Sequence, residues 1–252
     1  MLRPTLLLAL LAIAASAPTG SATSALAQSI DLTAYGALLA KDVNAQGMVA
    51  YAALKSADGA ALDAFLAKCA AARPETFATG SERLAFWVNA YNASVLKGVV
   101  AHYPTDSVMS VPNFFKEQAY TIAGEKLSLD QIENQKIRPV FKDPRVHFAL
   151  VCGAKSCPRL LNRAYTGVGL DAALDGQAHE FLADANKNRF EAQGPVARVS
   201  QIFNWYGPDF AGAAGSVAGY LKKYAPASAL PLLGNPAISV QYMNYDWKLN
   251  AQ

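Results

Sequence analysis

The chain of 252 residues has only three cysteines and three histidines, and beyond its first residues no run approaches the ~18 uninterrupted apolar residues that a transmembrane helix needs. Each scarcity excludes something. A zinc site needs about four ligands, yet Cys152-x4-Cys157 with one nearby histidine, His147, supplies at most three. Neither His102 nor His179 has a companion ligand one turn further along its predicted helix, so no metal is expected. There is no basic tract and no acidic tail, which argues against nucleic acid or an anionic membrane as partner. No Walker or dinucleotide-type glycine pattern is present, so the expected cofactor is none. No internal repeat is found.

What is present begins with residues 1–27, MLRPTLLLALLAIAASAPTGSATSALA. Arg3 precedes an apolar run from Leu6 to Ala17, and Ala25-Leu26-Ala27 follows as a small-residue cleavage site before Gln28. That order describes a secretory signal peptide. It predicts a periplasmic or secreted protein whose mature part, 28–252, is one globular domain, soluble and without a transmembrane anchor. With Arg3 removed, 21 basic residues face 19 acidic ones, a net charge of +2.

The mature part reads as alternating elements. Helices are predicted at 31–42, at 59–72 and from Ser81, as capping residue, to His102 before Pro104; the last is the longest and most apolar, hence central. AYTIAGEKLSL predicts a hairpin turning at Gly124, and Ser128-Leu129-Asp130-Gln131 a capping box opening a helix ended by Pro139. Strands are expected over 145–151, 196–202 and 238–249, and helices over 170–186, 215–224 and 228–233. The class is α+β, a single domain with the central helix packed on a mostly antiparallel sheet drawn largely from the second half of the chain.

The chemistry concentrates in VHFALVCGAKSCPRLL, residues 146–161. On a regular strand His147, Ala149 and Val151 share one face and Phe148, Leu150 and Cys152 the other. Cys157, before Pro158 and between Lys155 and Arg159, is expected at a helix start, where backbone N–H groups favour thiolate. If the loop curls back, Cys157 or Cys152 becomes a nucleophile, His147 its base and Glu133 an orienting or acid/base group. In an oxidising compartment the same two cysteines instead close a small disulfide. Asn89 and Asn92, one turn apart on the central helix beside Tyr91, are expected to point inward, where they either offer amides to a ligand or satisfy loop backbone. Trp205, Tyr206 and Asp209 are read either as an aromatic wall with one acid or as core and cap. The candidate functions are accordingly a thiol-dependent hydrolase or acyltransferase acting on an amide or thioester, and a non-catalytic module binding a small molecule or peptide.

The words AFWVNAYNA (85–93), YTIAGEKLSLDQIE (120–133), DPRVHFALVCGAKSCP (143–158), SQIFNWYGPDF (200–210) and YDWKLN (245–250) resemble the domain-of-unknown-function family 547. The resemblance runs from about Ser81 to Asn250 and implies no assigned activity. Family members commonly read Ile-Glu-His where this chain has Ile132-Glu133-Asn134. A central helix followed by a histidine-bearing strand is also similar to the papain and transglutaminase-like folds, which place a cysteine at the start of that helix; Ser81 to Asn89 holds none.

Overall fold

The computed structural model describes residues 29–191 and 194–252. Residues 1–27, expected to be a signal peptide, lie outside the described residues.

The helix Gly80–His102 organises the first two-thirds of the fold. Its N-cap is Thr79, not Ser81: the Thr79 hydroxyl accepts from the Glu82 N–H at 3.1 Å, and the Glu82 carboxylate accepts from the Thr79 N–H at 2.9 Å. That reciprocal pair satisfies two otherwise orphaned donors. Leu84 to Leu96 is continuously buried, because other elements pack around the helix on every side. At Gly98 a Cβ would meet the Tyr120 hydroxyl at 2.5 Å, so the missing side chain is what lets the neighbouring hairpin approach.

That hairpin pairs β1 (Ala119–Ile122) with β2 (Glu125–Ser128), Ile122 opposite Glu125. Ala123 and Gly124 both have positive φ, the two-residue turn that matches the strand twist. Their N–H groups donate to the Cys69 and Ala70 carbonyls, so the turn also caps the helix Gly59–Ala71. The Ser128–Gln131 capping box forms as expected. The helix it opens does not stop at Pro139. A π-helical turn, Ile132–Ile137, leads into Arg138–Phe141, where Pro139 occupies an initial position that needs no N–H partner.

A second apolar cluster, rich in aromatics (Phe148, Phe181, Phe203, Phe210, Tyr220), lies under a three-stranded sheet of order β3-β4-β5, comprising Arg189–Glu191, Val196–Val199 and Ser239–Tyr242. β3 and β4 are antiparallel and β5 joins β4 in parallel. The expected strand over 238–249 is therefore confined to its first part, and Ile202 already belongs to a helical turn. The whole is a mixed helix and sheet domain.

One expectation fails where it matters most. Residues 145–151 are not a strand: Pro144–Phe148 forms a 3-10 turn. Asp143 accepts the Arg145 N–H at 3.0 Å, Pro144 pre-sets φ, and the Val146 N–H closes on the Asp143 carbonyl at 3.1 Å. The alternation of faces predicted for His147 and its neighbours is consequently absent. The tight turn instead sends Val146 into the first apolar cluster and Phe148 into the second. His147 sits at their junction.

Candidate functional site

Asn92 holds the backbone that follows His147. Its amide nitrogen donates to the Ala149 carbonyl at 2.9 Å and its oxygen accepts from the Val151 N–H at 2.9 Å. Asn89 does the same for the Tyr165 backbone, at 2.7 and 2.9 Å. Both side chains are buried, as expected, and their hydrogen-bonding capacity is taken up by loop backbone.

Beyond Val151 the chain enters a short loop closed by a Cys152–Cys157 disulfide. Cys157 does not begin a helix. Its N–H is used by the Ala154 carbonyl, and the Arg159 carbonyl, which would accept within a first helical turn, is taken by the Gln177 side chain at 2.8 Å. The predicted helix-dipole activation of Cys157 therefore has no structural basis. Cys69, the remaining cysteine, is buried beneath its helix, where burial pushes its thiol up to about 12.

His147 is almost wholly enclosed. Tyr206 stacks on its ring at 3.8 Å between centroids, and Phe210 meets it edge-on. Its Nε2 lies 2.8 Å from Asp209 Oδ2, and Arg138 grips the same carboxylate through two bonds of 2.8 and 3.0 Å. His147 first, and Arg138 next, hold the Asp209 carboxyl well below the usual carboxylate range. An ionised carboxylate only accepts, so the Nε2 proton belongs to His147. In the neutral ring the lone pair is then on Nδ1, which faces Glu133 Oε1 at 3.9 Å, beyond direct hydrogen-bonding reach.

Glu133 is buried, and burial pushes its carboxyl up, with His147, Tyr206 and Arg138 pulling part of the way back. A folded pKa above the unfolded value means that the native state binds the extra proton. Its contribution is fully present below about 4.3, the unfolded value, and is lost as pH rises through the raised one. Glu133→Gln is therefore expected to flatten the loss of stability on that limb, read from urea midpoints across a pH series; an unchanged slope would exclude Glu133 as its source.

Tyr91, Glu133, His147, Cys152, Cys157, Trp205 and Tyr206 line one cleft of about 220 Å³. Of the residues singled out from the sequence, Asn89, Asn92 and Asp209 do not line it: the asparagines brace the loops behind it, and Asp209 reaches it only through His147. Tyr245 and Trp247 complete its aromatic side, with Trp205 at 4.9 Å from Tyr245 and 5.7 Å from Trp247 between centroids. These two, and Arg138, were missed by sequence reasoning. YDWKLN contains the aromatics without saying where they fold, and nothing local pairs Arg138 with a carboxylate 71 positions away. Asn134 also lines the cleft, bonded to Asp130 and Arg138.

Residues 76–182 match the model of a family described as a protein of unknown function, DUF547. That span includes the long helix, the hairpin, the His147 turn and the disulfide loop, and stops short of Trp205, Asp209, Tyr245 and Trp247. No curated protein and no solved structure matches the chain.

Proposed function

We propose that this chain, whose residues 76–182 match the DUF547 family, is an exported binding protein that takes a small molecule or peptide side chain with a flat apolar face. The observation that carries the reading is the joining, in one cleft, of the Trp205, Tyr245 and Trp247 rings with the buried Glu133 carboxyl and the half-buried Tyr206. Trp205 is 45% exposed even though it packs against Tyr245 and Trp247, so one large apolar surface stays open to the cleft. Flat rings supply contact area at little entropic loss, and a few buried polar groups set orientation.

Calorimetry and tryptophan fluorescence against a panel of planar small molecules and aromatic dipeptides test it. A ligand that binds should lose about tenfold or more in affinity on Trp205→Ala, as aromatic hot spots do. An unchanged affinity would move binding away from this cleft. Export is supported by the Leu6–Ala17 run and the Ala25–Ala27 site; protein recovered from the cell envelope is expected to begin at Gln28 by intact mass, and retention of residues 1–27 would oppose it.

A second reading, a thiol-dependent hydrolase or acyltransferase with Cys157 or Cys152 as nucleophile, is favoured by one observation: His147 and both cysteines line the same cleft. It requires the reduced pair. Turnover of an activated thioester by reduced protein, abolished by His147→Ala, would favour it over binding alone.

A further inference from the structure

The loop 152–157 is held by backbone hydrogen bonds as well as by its disulfide. The Gly153 carbonyl accepts from the Asn250 N–H at 2.9 Å, the Lys155 N–H donates to the Lys248 carbonyl at 2.8 Å, and the Ser156 N–H to the Asp246 carbonyl at 3.2 Å. The Ser156 hydroxyl accepts the Asp246 N–H at 2.8 Å, and Asn92 clamps the residues just before the loop. A sulfur–sulfur bond here adds little constraint to a segment already tied at each end.

The two sulfurs are also unequal. Cys157 is 3% exposed, whereas Cys152 is half-buried at the cleft. Cys157 Sγ receives the Cys152 N–H at 3.1 Å and the Tyr245 hydroxyl at 3.2 Å, while Cys152 Sγ has that same hydroxyl at the longer distance of 3.4 Å. A disulfide sulfur is a weak acceptor, while a thiolate is a strong one. Burial raises the Tyr245 phenol, which keeps it a donor. Two donors converging on one sulfur are thus suited to a charge that appears only when the bond opens.

We propose that Cys152–Cys157 is a thiol–disulfide exchange centre that oxidises a cysteine-containing peptide bound in the cleft, with Cys152 accepting the ligand sulfur and Cys157 as the leaving thiolate. The ligand thiol loses its proton to solvent and its thiolate attacks Cys152 Sγ. A ligand–Cys152 disulfide forms, the Cys152–Cys157 bond breaks, and its electron pair stays on Cys157 Sγ. A second ligand thiolate then attacks the ligand sulfur of that mixed disulfide. It releases oxidised ligand and a Cys152 thiolate that takes a proton from solvent, so that two thiols are oxidised as one protein disulfide is reduced. The flanking-residue preference rests on the binding reading above; the exchange chemistry does not.

The test uses the full chain. Each single-cysteine variant, Cys157→Ser and Cys152→Ser, is incubated with oxidised glutathione and followed by intact mass. Cys152 in the first is expected to form the mixed disulfide at least about tenfold faster than Cys157 in the second, because access governs attack. The unaltered protein and Tyr245→Phe are then compared for reduction by glutathione. Loss of one hydrogen bond to a charged sulfur should slow the variant by about tenfold. Cys157 reacting as fast as Cys152, or Tyr245→Phe being reduced as fast as the unaltered protein, would overturn the assignment. Should Tyr245→Phe not fold, by circular dichroism, the cysteine comparison decides alone. A peptide carrying Cys-Trp is expected to react faster than glutathione, with the advantage lost in Trp205→Ala. Exchange without that preference removes the binding reading and leaves the centre; fluorescence-detected binding without exchange does the reverse.

Discussion

Asn92→Ala is expected to lower the unfolding free energy by about 2–4 kcal/mol, because it strands two buried backbone groups at once, each worth roughly 1–3 kcal/mol when unsatisfied. They are the Ala149 carbonyl and the Val151 N–H. No solvent replaces the amide, since the side chain is 3% exposed in the middle of the longest helix. Asn92→Asp tests the donor: the ionised carboxylate would lie buried against the Ala149 carbonyl, so it should cost at least as much as alanine near neutral pH and recover on acidification, where a protonated carboxyl can donate to Ala149. Urea unfolding measures both. A change below about 0.5 kcal/mol, the range of an ordinary surface substitution, would mean that the loop repairs its own hydrogen bonds and that Asn92 does not hold it. Functionally the same variant should disturb Cys152, the residue directly after the Ala149–Val151 clamp, and through it the cleft that Cys152 lines.

Asp209→Asn should destabilise the protein by about 2–3 kcal/mol near neutral pH, the penalty for leaving a partly buried cation without its charge-assisted bonds. Arg138 loses both its bonds to a charged partner, and His147 keeps only a weaker acceptor at Nε2. The sign of the pH dependence follows from the depressed carboxyl. The folded state holds Asp209 ionised more tightly than the unfolded chain does. Its stabilisation is therefore present in full above about pH 3.9, the unfolded value, and disappears as pH falls through the folded one. The gap between the unaltered protein and Asp209→Asn should close on acidification, opposite in direction to the Glu133 limb. A gap that persists undiminished at about pH 2–3, where ordinary carboxylates are protonated, would assign the loss to shape and not to charge.

Local signals carried far in this sequence. The hairpin, its Gly124 turn, the Ser128 capping box and the helices through His102 follow from spacing and caps that act within a few residues. The class of fold and the inward asparagines were legible for the same reason. The His147 segment was not. Val146, Phe148, Leu150 and Cys152 alternate like a strand, but Asp143-Pro144 imposes a turn whose apolar residues serve two different cores. Cys157 before Pro158 looked like a helix start, but its N–H closes a turn on the Ala154 carbonyl, and Gln177, reaching in from another helix, binds the Arg159 carbonyl. Thr79 rather than Ser81 caps the long helix because only Thr79 has glutamate three residues on, at Glu82. The cleft is a juxtaposition of segments from Tyr91 to Trp247, 156 positions apart, and no local period encodes such a meeting.

The ties between the last residues and the rest of the fold have a consequence for the order in which the protein is made. Val49 donates to the Asn250 carbonyl and accepts from the Gln252 N–H, while Asn250 reaches Gly153 and the Leu249 N–H reaches Asp106. Tyr51 gives its hydroxyl to the Asn250 side chain across 199 positions. The chain must therefore be made as far as Gln252 before the contacts that fasten Val49, the disulfide loop and the aromatic wall together can all exist. Contacts of such sequence separation close slowly, and a nascent chain lacking them keeps its first apolar cluster open. The cleft consequently forms only after residues 245–250 have been made, and a chain interrupted before Tyr245 would emerge with the cysteines in place but neither the phenol that steadies Cys157 nor the Asp246–Asn250 backbone that pins their loop.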